Sequence, residues 1–178
     1  MTTARAMSDW RMGGLTEDLD RLRGEILDPS VRGGVDYWRG LLRGRRFPAR
    51  ADLDPAAIPV QLEQISILDV SGDPPAFRVR LLGQVTRERQ GLAAGNDIAS
   101  VGVEQGRERI LARLRLCVTE GRPIRGVYRY AVLHGKARQV WAEAVSCPLS
   151  SDGATIDHVV TFGADFDGPT PSGLMEWP

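Results

Sequence analysis

Two histidines, a carboxylate and two cysteines are the side chains through which this chain could do covalent or acid–base chemistry: His134, His158, Glu143, Cys117 and Cys147. A metal pair would need both histidines to converge with a carboxylate such as Glu143 or Asp157. His134 falls near a turn and His158 inside a strand, so they read as strand-end and core histidines, and no metal site is predicted. A cysteine nucleophile needs a partnered base and an electropositive, exposed setting. Cys117 shares its helical stripe with Leu114 and Val118, which predicts burial. Two cysteines without a CxxC fit small buried side chains in a reducing compartment. Nucleotide-binding glycine loops, the GxSxG elbow and HExxH are all missing from the sequence, so no catalytic residue is assigned. The alternative from another class is a small enzyme or ligand carrier on an α+β scaffold. It would use Glu143 or His158 as an acid/base whose pKa a buried pocket adjusts.

Binding chemistry has more candidates. Tyr128 and Tyr130 fall on one strand face with Val132, where their rings can wall a pocket and their hydroxyls orient a ligand; ordinary aromatic packing is the other reading. Phe77, with Val79 and Leu81, would form a pocket floor, and Leu114 points from the central helix. Trp141 can lie inward or on the outer face beneath an N-terminal helix. The candidate ligand-contacting set is Phe77, Leu114, Tyr128, Tyr130, Trp141 and His158. Arg87 and Arg89 on a short helix either reach an anionic ligand or stand in solvent.

The elements that must position these residues follow from periodicity. Leu15, Leu19, Leu22, Ile26 and Leu27 recur at helical steps, and Asp28-Pro29 ends that helix. Gly33-Gly34 separates it from a second helix, Val35 to Arg43, carrying Tyr37, Trp38, Leu41 and Leu42. Asp54 caps a short helix opened by Pro55. Gln64 to Gly83 reads as a hairpin: Ile65 to Val70, a Ser71-Gly72-Asp73-Pro74-Pro75 turn, then Phe77, Val79 and Leu81 alternating with Arg78 and Arg80. Gln84 to Gln90 reads as a short polar helix and Val103 to Glu120 as a longer one. On the longer helix Ile110, Leu111, Leu114, Cys117 and Val118 share a face, with Arg109, Arg113 and Glu120 off it. Three strands follow, Ile124 to His134, Gln139 to Leu149 and Thr155 to Phe166. A Gly135-Lys136 turn and an Asp152-Gly153 hairpin signal join them. Residues 1–13 read as frayed, and the Gly/Pro-rich 168–178 as a tail that lies loose or docks by Leu174 and Trp177.

At 178 residues, 42% hydrophobic and 26% charged, the chain has the composition of one globular domain with appended structure. The formal net charge is zero, which gives no general attraction to nucleic acid or membrane. Residues 78–138 carry 13 basic against 5 acidic side chains, and the last forty carry six acids and no base. Such a dipolar layout reads as solvated faces that neutralise each other. No apolar run approaches the ~18 residues of a membrane span, and no leader-type segment opens the chain. The expected location is the cytoplasm.

Helices, two strands, helices and three strands form an α+β order. It resembles the PAS sensor fold, and the likeness extends to residues. Tyr37-Trp38, Arg50, Asp52, Pro55, Ile58 and Pro59, then Ile67-Leu68-Asp69-Val70, Pro75, Phe77, Arg78, Arg80, Leu81 and Gly83, resemble a bacterial family of stand-alone PAS-like proteins. Glu143, Pro148-Leu149-Ser150 and Asp152-Gly153 match that family's C-terminal hairpin. The resemblance implies a PAS-like five-stranded antiparallel sheet with helices on one face and an N-terminal helical extension. Its parts would be 1–34 (the extension), 35–166 (the PAS-like domain) and 167–178 (a flexible tail). It also implies a non-catalytic signalling module whose pocket lies between the sheet and the central helices. The module would bind a small molecule, or a homodimer or signalling partner through the N-terminal helices. No cofactor is named. A haem histidine is absent from both helical stretches, and Cys117 lacks the asparagine and arginine motif of a flavin photosensor.

Overall fold

Apolar residues of both parities in the C-terminal strands require that both faces of their sheet be covered, and the structure covers both. The structure, a computed structural model, describes residues 15–100, 104–132 and 138–166. The expectations for residues 1–13, His134, the Gly135-Lys136 turn and the tail with Leu174 and Trp177 lie outside the described residues. The elements are α1 (Leu15–Glu25), α2 (Pro29–Leu41), β1 (Ile65–Ser71), β2 (Ala76–Leu82), α3 (Gln84–Gln90), α4 (Glu104–Glu120), β3 (Ile124–Val132), β4 (Arg138–Leu149) and β5 (His158–Phe166). The strands form one sheet in the order β2-β1-β5-β4-β3, with every neighbouring pair antiparallel. This is the α+β architecture expected from the element order.

The inner face carries Leu68, Phe77, Val79, Tyr128, Ala142 and Ala144 against Ile110, Leu111, Leu114 and Cys117 of α4. The outer face carries Ile65, Ile67, Val145, Cys147, Leu149 and Phe162 against Leu19 and Ile26 of the first helical segment and Val31, Val35 and Trp38 of α2. The Trp38 indole N–H donates to the Pro148 carbonyl at 3.0 Å, so a large ring is buried without an orphaned donor.

The β1–β2 pairing contains a bulge. Register passes from Ile67↔Leu81 to Leu68↔Val79, leaving Arg80 as the extra residue. A bulge reverses side-chain parity beyond it. Leu81 is therefore 44% exposed and does not share the face of Phe77 and Val79 as strict alternation predicts. Leu82 packs on the inner core instead, and Arg80 pairs with Asp69 at 2.6 Å.

Two further differences come from local chemistry. Asp152-Gly153 does not make a two-residue hairpin turn, because β4 ends at Leu149 and β5 begins at His158. Asp152 instead organises the longer connection: the amides of Thr155 and Ala154 and the Ser150 hydroxyl donate to its carboxylate. Those bonds hold it well below the usual carboxylate range.

The second difference is at Gly33-Gly34, which does not separate two helices. One helix, α2, runs through both, started by Asp28, whose carboxylate accepts from the amides of Ser30 and Val31, with Pro29 in the first turn. The glycine at 34 serves close approach: a Cβ there would meet the Phe162 ring at 2.4 Å. Nothing lies within 4 Å of a Cβ at Gly40, in the same helix. Gly34→Ala is expected to lower unfolding stability by about 1–3 kcal/mol through overpacking. Gly40→Ala should raise it by about 0.5–1 kcal/mol through helix propensity. Urea denaturation of the two variants checks this opposition of sign; stabilisation at Gly34 would contradict the packing account.

Candidate functional site

Small residues on the inner face make room there. Ala142, Ala144 and Gly163 lie under α3 and α4, and a cavity of about 50 Å³ opens between them and the helices. Its apolar wall includes Leu68, Ile110 and Leu114, and Tyr128 closes one side. Gln64, Ser66 and Thr86 add polar groups, as do Arg113 and Thr161. At the rim the Arg89 guanidinium pairs with the Asp165 carboxylate. A few heavy atoms fill this volume, against the ~300–1,000 Å³ of pockets for drug-sized ligands.

Beneath the cavity lies a buried polar cluster. Arg113 is 5% exposed. Its Nε donates to the Ser146 hydroxyl at 3.0 Å, which lies 2.9 Å from the Thr161 hydroxyl. The guanidinium stands over the Tyr128 ring, 5.5 Å from its centre. The Cys117 thiol donates to the Ser146 carbonyl at 3.4 Å. Burial pushes the thiols of Cys117 and Cys147 up from their ordinary value, which suits packing and not nucleophilic attack.

Of the sequence-predicted contacts, Tyr128 and Leu114 line the cavity. Phe77 belongs to the same core layer but lies outside the cavity wall. Trp141 takes the outer-face alternative: it shares β4 parity with Glu143 and Val145, and Arg129 stands over its ring at 5.3 Å. The backbone of Tyr130 pairs with Val140; its side chain lies outside the described residues. His158 sits at the start of β5, its Nδ1 2.7 Å from Asp157 and its Nε2 3.2 Å from Asp69. Both ring nitrogens are thus engaged away from the cavity.

Glu143 is fully buried and borders the cavity by its place in β4, but its carboxylate turns to the opposite face. There it accepts from the Leu27 amide at 3.0 and 3.1 Å, the Asp28 amide at 2.9 Å and Arg125 Nε at 2.6 Å. The link between α1 and α2 is fastened to the sheet at this point. Three donors make a structural carboxylate, and neither Glu143 nor His158 presents an acid or base to the cavity.

Arg113, Ser146 and Thr161 were not singled out from the sequence. The signal for Arg113 was present: Ile110, Leu114 and Cys117 recur at three- and four-residue steps, and position 113 falls on that stripe. Its charge argued for the solvent face, and the Ser146 hydroxyl supplies the partner that keeps it inside.

The fold class is thus α+β, a five-stranded antiparallel sheet roofed by helices over a cavity. The chain belongs to the PAS domain family, whose model matches residues 27–153. No curated protein matches it. Among solved structures it is similar to an RNA-binding light-oxygen-voltage receptor, with 15% identity and a TM-score of 0.44 over 66% of this chain and 35% of that one. The matched region therefore spans about a third of that receptor. It is also similar to a sensory box sensor histidine kinase from Vibrio cholerae, with 13% identity and a TM-score of 0.42 over 62% of this chain and 84% of that one. A third is the PAS domain of a protein from Colwellia psychrerythraea, with 12% identity and a TM-score of 0.42 over 64% and 98%. PAS domains are in general sensory signal-transduction modules and not catalysts.

Removing Glu143 would leave the partly buried Arg125 without its counter-charge, and two amides without an acceptor. Breaking such a pair costs about 3–5 kcal/mol. Glu143→Ala is expected to lose stability in that range in urea, with Glu143→Gln intermediate; a loss below about 1 kcal/mol would show that the contact does not fasten the segment.

Proposed function

We propose that this chain is a non-catalytic sensory or regulatory PAS module that takes a small molecule into the cavity between α4 and the sheet. Its output passes to a partner protein, or to a second copy, through the N-terminal helices. The observation that carries this reading is the cavity itself: polar groups from β1, α3, α4 and β5 converge on it in a chain of the PAS family. Polar groups facing a cavity can orient a ligand within an otherwise apolar wall.

The proposed parts are the helical extension 1–34, the PAS domain 35–166 and the tail 167–178. The first boundary falls within α2, so a movement of the domain is carried into the extension along one continuous helix. No helix among the described residues is long and apolar enough to cross a membrane, and the proposed location is the cytoplasm. The neutral net charge favours protein and small-molecule partners over nucleic acid.

Native mass spectrometry of the full chain purified from its own source tests the reading. The expected result is a mass excess from a retained small molecule, released on denaturation. The bare chain mass, together with no shift in melting temperature in a broad metabolite screen, would contradict ligand binding.

A further inference from the structure

Arg113 has no carboxylate partner among the described residues. Its partners are the Ser146 hydroxyl and the Tyr128 ring, both neutral, and it forms no ion pair among the described residues. The acidic groups nearest the cavity are committed elsewhere, Asp165 to Arg89 and Glu143 to Arg125. An arginine stays protonated when buried, and an uncompensated buried charge is costly. The backbone leaves room for this side chain: a Cβ at Gly126 would lie 3.3 Å from Arg113 Cδ and 3.4 Å from Nη1.

With Nε given to Ser146, the N–H groups of Nη1 and Nη2 have no protein acceptor among the described residues, and the side chain lines the cavity. A guanidinium edge of this kind matches a carboxylate with two parallel hydrogen bonds. The cavity's about 50 Å³ suits an acid of about two or three carbons, whose short apolar end would meet Leu68 and Leu114.

We propose that the cavity binds a small monocarboxylate, its carboxylate held by the terminal nitrogens of Arg113. The proposal rests on the reading of the cavity as the ligand site and adds the ligand's chemical class. The ligand carries the negative charge that the chain itself withholds from Arg113.

Isothermal titration of the full chain with sodium acetate and sodium propionate, at ionic strength matched with sodium chloride, tests it. Propionamide serves as the neutral isostere. Saturable one-to-one binding of at least one carboxylate is expected, with propionamide at least about tenfold weaker and Arg113→Gln weakened by a similar factor. If Arg113→Gln does not fold by circular dichroism, Arg113→Lys decides on the same readout, because it keeps the charge and loses the fork. No saturable carboxylate binding, equal binding of propionamide, or unchanged affinity in the folded variant would each overturn the proposal. Failure here alongside a neutral molecule retained in native mass spectra would remove the carboxylate and leave the sensory reading intact.

Discussion

A carboxylate with no exposure, placed in the middle of a sheet, constrains everything around it. Glu143 cannot sit in β4 unless donors reach it, and the chain brings three: two consecutive amides from the α1–α2 link and the Arg125 guanidinium. This requirement fixes where the N-terminal segment crosses the sheet. Asp28, held through its own amide, then uses its side chain to start α2. The same residue is thereby an anchor point on the sheet and the cap of the helix that covers it. The approach of α2 is close enough that Phe162 leaves no room for a side chain at Gly34.

The two faces of β4 do different work within one residue of each other. Glu143 faces the N-terminal helices, whereas Ala142 and Ala144 face the cavity and Ser146 receives Arg113. A strand that is packed on both sides transmits displacement because protein interiors have little free volume to absorb it. Under the proposed function, occupancy beneath α4 would be felt through β4 at the point where the extension is fastened. A ligand that bound both arrangements of the segment equally would shift nothing, so the coupling depends on β4 moving when the cavity fills.

The scaffold was largely legible from periodicity, and the site only partly. Alternation placed the five strands, and the stripe of Ile110, Leu114 and Cys117 placed α4, because burial of one face dominates those segments. Gln84 to Gln90 was read to its ends. Misreadings arose where tertiary contact overrode a local rule. Gly33-Gly34 looks like a break, but close packing on Phe162 makes glycine useful inside a helix. The bulge at Arg80 exchanges Leu81 for Leu82, and no single-strand pattern shows it. Tyr128 and Leu114 line the cavity because apolar bulk at their parity faces the space between sheet and helix. Arg113 escapes sequence reasoning because charge points to solvent, and the hydroxyls of Ser146 and Thr161 beside it come from strands β4 and β5. Glu143 was noticed for its chemistry, yet its partners, two backbone amides more than a hundred residues away, have no sequence signature.

Under the proposed function, the cavity on one face and the fastened helices on the other communicate through β4. Hydrogen exchange at the amides of Leu27 and Asp28, which donate to Glu143, is the most direct measure. Ala144→Val adds bulk to the cavity from β4 itself, and the Phe162 amide serves as the internal reference for global opening. A change in exchange at Leu27 and Asp28 relative to Phe162 is the predicted result. Exchange at those two amides that tracks Phe162 in both proteins would contradict it.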